Sequence, residues 1–336
     1  MDQWEKETMK RSLLTIFVML FLSLFTACAH IPSSQSPLFV IGDRPGNQAG
    51  QFNEPFAITV DSSNTVFVAD ARNHRIQKFD KNGNFLGQWG KQGKDPGEFE
   101  RPSGLAVDVQ GNIFVSDYEL DRIQKFTPEG QFLMQWGSSG KNPGQFNSPT
   151  GIAIDSHSHL YVTDTYNHRV QKFDSQGKFL KTWGQYQPIS VIRSFFSFLI
   201  NPGAEGNFNY PTRIAVGPNN ILYVSDAYNN RIVAFSTEGD YLFQFGGVGF
   251  FSGSFRVSSG IASNKSGNLY VADFYNHRIQ MFSEKGSFLT ELGEKGNGAG
   301  QFEGPTDIAV DEQGQFYVVD WGNHKIQVFN IQLHLH

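Results

Sequence analysis

The chain has one cysteine, Cys28, so no disulfide can form within it. It also lacks a surplus of positive charge: 27 Lys and Arg stand against 32 Asp and Glu, a formal net charge of −5. Nucleic-acid binding draws on a basic surface that displaces counterions, so this balance argues against that class of partner. Long apolar runs are scarce. The only candidate is Leu13 to Phe25, short of the roughly 20 residues a spanning helix needs. Helical periodicity is missing from the rest of the chain, as is the Gly-x-Ser-x-Gly elbow of a serine hydrolase. What is abundant is Gly (35) and Phe (32), the mixture that tight turns and aromatic sheet packing call for.

One ten-residue stretch then dominates. DARNHRIQKF (70–79) returns as DYELDRIQKF, DTYNHRVQKF, DAYNNRIVAF, DFYNHRIQMF and DWGNHKIQVF. The leading residues are Asp70, Asp117, Asp164, Asp226, Asp273 and Asp320. Four of the five steps are 47 residues, and the step from Asp164 to Asp226 is 62, which is 47 plus 15. A fixed period of this size marks a repeat architecture. Each unit reads as four short strands. In the first they are FAITV (56–60), TVFVAD (65–70), RIQKFD (75–80) and FLGQWG (85–90), separated by the turns DSSN, ARNH and KNGN. Such runs, punctuated by Gly, Asn, Asp and Ser, are antiparallel hairpin signals. Six units of four strands predict an all-β, six-bladed β-propeller. The last unit stops after its third strand, KIQVFN (325–330), while SPLFVIG (36–42) precedes the first. That N-terminal strand is expected to complete the last blade and close the ring. Closure protects the edge that would otherwise be open to association, and a monomer is expected.

The unit P-x-G-[IL]-A-[VI]-D…[LF]-[YF]-V-[AST]-D-x-x-N-H-R-[IV]-Q-x-F resembles the NHL repeat over about residues 37–330. The resemblance implies the propeller fold and says little about function, because NHL propellers include binding domains, sensors and a few lyases.

The head of the chain reads as an export signal: Lys10 and Arg11, the apolar core, then Phe25-Thr26-Ala27-Cys28. This resembles a bacterial lipobox, with Phe25 where Leu is usual. Residues 1–27 are the expected signal peptide, with Met9 as an alternative start. Cys28 is the expected lipidation site, 28–36 a tether and 37–336 the propeller. An anchored chain of the bacterial cell envelope follows, held by acyl chains contributing about 0.8 kcal/mol per buried methylene.

Sixfold recurrence makes the Asp and Arg of the motif architectural. His74, His168, His277 and His324 recur with it and are expected to cap turns around a ring rather than converge on a metal. The Phe of GQFNEP and its copies is expected to fill the gaps between blades. Function is then sought where the copies differ. The inner strands open with P-F-A (55–57), P-S-G, P-T-G, P-T-R (211–213), S-S-G and P-T-D (305–307). Small hydroxyls dominate, and Phe56, Arg213 and Asp307 depart from them. The amidating lyases that resemble this repeat hold zinc with histidines just after that proline. Here Phe56, Ser103, Thr150, Thr212, Ser259 and Thr306 stand there, so neither zinc nor another cofactor is expected. The other departure is an insertion, about 185–206, whose Phe195, Phe196 and Phe198 would form a sticky patch if exposed. The sequence thus points to a binding scaffold acting through its interblade-loop face on an envelope protein, peptide or glycan. Arg213, Asp307, Phe56, Phe195, Phe196 and Phe198 are the candidate contacts. A channel-located lyase or hydrolase is the alternative.

Overall fold

A computed structural model describes residues 35–42, 44–186 and 206–330. Its twenty-four strands form six four-stranded antiparallel sheets. Blade 1 runs Pro55–Val60, Val66–Asp70, Arg75–Phe79 and Phe85–Trp89 from the channel outward, and the next four blades repeat it. The sixth takes Pro305–Val310, Gln315–Asp320 and Lys325–Asn330, then borrows its outermost strand, Phe39–Ile41, from ahead of blade 1. Phe39 lies opposite Val328 and Ile41 opposite Ile326. The ring therefore closes as the sequence predicts, with a closing strand of only three residues.

Each blade is apolar on both faces because each face meets a neighbour. One cluster joins Ala57, Phe67, Ala69 and Ile76 of blade 1 to Leu105, Ile113, Val115 and Phe126 of blade 2. Phe99 sits in this cluster, and its counterparts Phe52, Phe146, Phe208, Phe255 and Phe302 are equally buried. These are the phenylalanines that end each interblade link, and they fill the gaps as expected. Burying one such side chain contributes roughly 1.5–3 kcal/mol.

The outermost strands add a second interlock. Trp89 of blade 1 lies on the turn of blade 2, where a Cβ on Gly130 would come within 2.6 Å of the indole. That glycine also holds φ +83°, a conformation that costs other residues energy. The same pairing joins Trp136 to Gly177 and Trp183 to Gly239.

Candidate functional site

The recurring motif ties each blade to the link that precedes it. Asp70 is fully buried. Its carboxylate accepts from the Asn53 amide at 2.7 Å, Asn73 Nδ2 at 2.8 Å, Arg75 Nε at 2.8 Å and Gln77 Nε2 at 3.0 Å. Burial pushes this carboxyl up from its ordinary value, and the donors oppose that rise. Arg75 meets Asp70 through Nε alone, and its two terminal nitrogens donate to the carbonyls of Asn47, Gln48 and Gln51. Those carbonyls belong to the interblade link, so the guanidinium stitches loop to blade. Blade 2 departs from this pattern. Its motif lacks the Asn and His, and Asp117 accepts the backbone amides of Glu100, Arg101 and Leu120.

The histidines end the motif's single 3-10 turns. His74, His168, His277 and His324 all lie at φ 53–55°, closing the turn by a left-handed residue. Three of them also clasp the next blade. His168 Nδ1 accepts from the Tyr210 amide, His277 Nδ1 from Gly304 and His324 Nδ1 from Glu54. Asp121 and Asn230 do the same with side-chain oxygens, taking the amides of Ser148 and Val257. His74 differs: its Nδ1 lies 2.7 Å from the Glu100 carbonyl and therefore donates. Among the described residues no three His, Cys, Asp or Glu side chains converge as a metal site.

Small hydroxyls dominate the inner-strand starts. The structure gives them a bonding role. Ser103 donates to the Pro149 carbonyl at 2.9 Å, Thr150 to Thr212 at 2.6 Å, Thr212 to Ser259 at 3.1 Å and Ser259 to Pro305 at 2.7 Å. Each bond reaches the following blade, making a belt around the channel mouth. Close approach of the inner strands makes this possible: a Cβ on Gly104 would lie 1.8 Å from the Thr150 carbonyl. The belt breaks at blade 1, where Phe56 has no hydroxyl. Thr306, next in line, is buried, and its Oγ1 has no partner among the described residues.

The three departures from the repeat meet at that break. Arg213 crosses the channel from blade 4. Its Nε lies 3.2 Å from Asp307 Oδ1, one terminal nitrogen donates to the Phe56 carbonyl at 2.7 Å, and its Cζ stands 5.0 Å from the Phe56 ring centre. The other Asp307 oxygen accepts from the Ile58 amide at 3.2 Å. Arg213 and Asp307 are only 5% and 6% exposed. Burial pushes the Asp307 carboxyl up, and Arg213 pulls it back. The pair partitions the channel. Below it runs a cavity of about 210 Å3 walled by the inner strands; above it, at the interblade-loop face, is another of about 210 Å3.

The upper cavity is lined by Phe56, Tyr228, Phe274, Tyr275 and Thr306, with Arg213 at its floor. Tyr228 and Tyr275 are 60% and 53% exposed. From the cavity an aromatic crescent runs along the face, with ring centres 5.0 Å apart between Tyr228 and Tyr210, 5.1 Å between Tyr210 and Tyr166, and 6.3 Å between Tyr166 and Tyr118. On the other side Phe274 stands 6.0 Å from Trp321. Arg101 lies over both Tyr118 and Phe56. The Tyr118 hydroxyl is pushed up to about 12 by burial, with Tyr166 adding to the rise. Sequence reasoning missed this crescent, apart from Phe56. Most of its rings occupy the two variable positions after the motif's Asp: Tyr118, Tyr166, Tyr228, Phe274, Tyr275 and Trp321. Their variation inside an otherwise constant motif was the available signal. Phe195, Phe196, Phe198 and Cys28 lie outside the described residues.

Comparison with known proteins agrees with this architecture. An NHL repeat model matches residues 52–79, 99–126, 146–173 and 208–235, and a model described as a 6-bladed beta-propeller matches 257–335. Protein brain tumor of Drosophila melanogaster is 51% identical over 49 residues, 15% of this chain and 5% of that protein. NHL repeat-containing protein 3 of Homo sapiens is 49% identical over 45 residues, 13% of each. The matched segments thus span a small part of these relatives. Among solved structures, a Bacteroides thetaiotaomicron protein of unknown function superposes with TM-score 0.66 at 16% identity, over 89% of this chain and 76% of that one. A Xanthomonas campestris gluconolactonase gives 0.60 at 13%, over 90% and 98%. Virginiamycin B lyase from Staphylococcus aureus with quinupristin gives 0.57 at 18%, over 88% and 89%. At these identities the likeness is one of fold.

Proposed function

We propose, from the premise that this chain is a six-bladed propeller of NHL repeats, that it is a binding scaffold working through its interblade-loop face. In this reading it is exported, anchored through lipid on Cys28, and presents the face to an envelope protein, peptide or glycan. The observation that carries the proposal is the exposed aromatic crescent around the upper cavity. Architecture accounts for the motif, the histidines and most of the hydroxyls; it does not account for tyrosines left half in water. Exposed, contiguous apolar surface of this kind is where partners bind. Two structural neighbours carry the names of a lyase and a gluconolactonase, and channel chemistry here would call on Arg213 and Asp307. Those two groups are buried and paired with one another, which favours binding over catalysis.

Two measurements on the full chain in its own envelope test this. A palmitate analogue should label the wild type and not Cys28→Ser. Envelope components retained by the wild type should be lost from the double variant Tyr228→Ala/Tyr275→Ala, with its melting temperature unchanged. Equal labelling of wild type and Cys28→Ser would remove the anchor from the proposal, and unchanged retention would remove the face.

A further inference from the structure

We infer that the upper cavity takes one uncharged pyranose ring of a glycan, with neighbouring sugar units lying along the tyrosine crescent. The inference rests on the reading of this face as a binding surface and adds the chemistry of what binds.

The cavity, at about 210 Å3, is smaller than a typical drug-sized pocket. It admits a single ring, not a folded partner. Its sides are ring faces: Phe56, Phe274, Tyr228 and Tyr275. A pyranose offers these faces its own patch of C–H groups, while its hydroxyls point outward around the rim.

Polarity narrows the class. The hydroxyl of Thr306 is buried at the cavity wall without a partner among the described residues. Buried polar groups in folded proteins are nearly always hydrogen-bonded to protein, water or a ligand, and this one faces a cavity. The cause is visible in the fold. The acceptor that the belt's pattern would offer is a backbone carbonyl at the start of blade 1, and Arg213 already donates to the Phe56 carbonyl. A ligand hydroxyl would complete the broken belt; an apolar side chain from a peptide would leave Thr306 as it is.

Charge narrows it again. The cation at the floor, Arg213, is neutralised by Asp307. Among the described residues no carboxylate lines the cavity beside the aromatic rings. Among the lining residues an anion would find no uncompensated cation, so the preferred sugar is neutral rather than acidic. Beyond the cavity, Tyr228, Tyr210 and Tyr166 stand about 5 Å apart in succession. Their hydroxyls and ring edges supply contacts for further sugar units.

The test uses chitohexaose, cellohexaose and maltohexaose as neutral probes, and a hyaluronan hexasaccharide as the acidic one. Binding is followed by saturation-transfer NMR and calorimetry on the full chain. At least one neutral probe should saturate with Kd of about 1 mM or tighter. Tyr275→Ala should weaken it about tenfold or more. Thr306→Val keeps the shape and removes a hydroxyl no other described residue uses. It should weaken binding about tenfold while melting no lower than the wild type. The inference is overturned if no neutral probe saturates, if the acidic probe binds more tightly, or if Thr306→Val binds as the wild type does. If Tyr228→Ala/Tyr275→Ala still loses envelope components while the sugars fail to bind, the glycan falls and the binding face stands. If that variant changes neither, both readings fall.

Discussion

Arg213 shows how much one departure from a repeat can control. Three of its five counterparts are glycines, at 104, 151 and 260, which let the inner strands crowd together. In blade 4 the long cation crosses to blades 6 and 1 instead. Removing one partner of a buried pair leaves the other charge without compensation. Arg213→Met should therefore cost about 3–5 kcal/mol by chemical denaturation. The double variant Arg213→Met/Asp307→Leu should recover most of the loss, since neither charge then remains. A single variant as stable as the wild type would mean that the pair does not hold the channel. At this scale the sequence was informative but incomplete. Phe56, Arg213 and Asp307 stood out against the repeat, and the structure brings all three together. The interblade bonds of the hydroxyls beside them were not legible, because sequence does not show the carbonyl of the next blade. The tyrosine crescent hid in the motif's two unconstrained positions.

At the scale of the element, the clasp between blades depends on protonation. His168 and His277 accept at Nδ1, so the proton of the neutral ring sits on Nε2. A second proton would land on the accepting nitrogen and break the clasp. Burial pushes His168 and His277 down from their ordinary 6.5. Below pH 6.5 the unfolded chain then binds protons that the folded chain refuses, so stability falls as the pH drops. The limit is about 1.4 kcal/mol per histidine per pH unit. Asn230 already serves one blade as an acceptor that does not titrate. The double variant His168→Asn/His277→Asn should accordingly keep its clasps and lose the dependence. Melting curves between pH 7 and pH 5 check this. The variant should gain on the wild type as the pH falls, and parallel curves would show that these rings do not titrate with unfolding. Strand runs and turns were legible here because each is a local signal. The interblade hydrogen bonds were not, since each joins residues 26 or more positions apart.

For the whole molecule, five blades are closed by their own chain and the sixth by a strand of three residues. The period and the missing last strand made that closure readable from the sequence. Its strength was not, because it depends on contacts between the two ends. The sixth blade is also where the motif's Arg becomes Lys325, whose Nζ stands 3.9 Å from Asp320, against 2.7–3.0 Å for the arginine pairs. Lys325 reaches Asn297 instead. The closing strand compensates by packing at two places. Ile41 enters the cluster shared by blades 6 and 1, and Phe39 joins its edge. Both also press on the turn at Gly83, within 3.1 Å of where a Cβ would stand. Deleting residues 1–42 should therefore cost about 3 kcal/mol or more from the loss of these two side chains. It should also expose Lys325–Asn330 as an unpaired edge, and such edges recruit other chains. The truncated protein should melt lower and elute as concentration-dependent oligomers. Deleting only residues 1–34, which removes the proposed anchor and keeps the strand, should leave a monomer that melts above the 1–42 deletion. A synthetic peptide of residues 36–42 should return the longer deletion toward the monomer. A monomeric, fully stable 1–42 deletion would mean that the covalent links and the interblade phenylalanines close the ring without the strand.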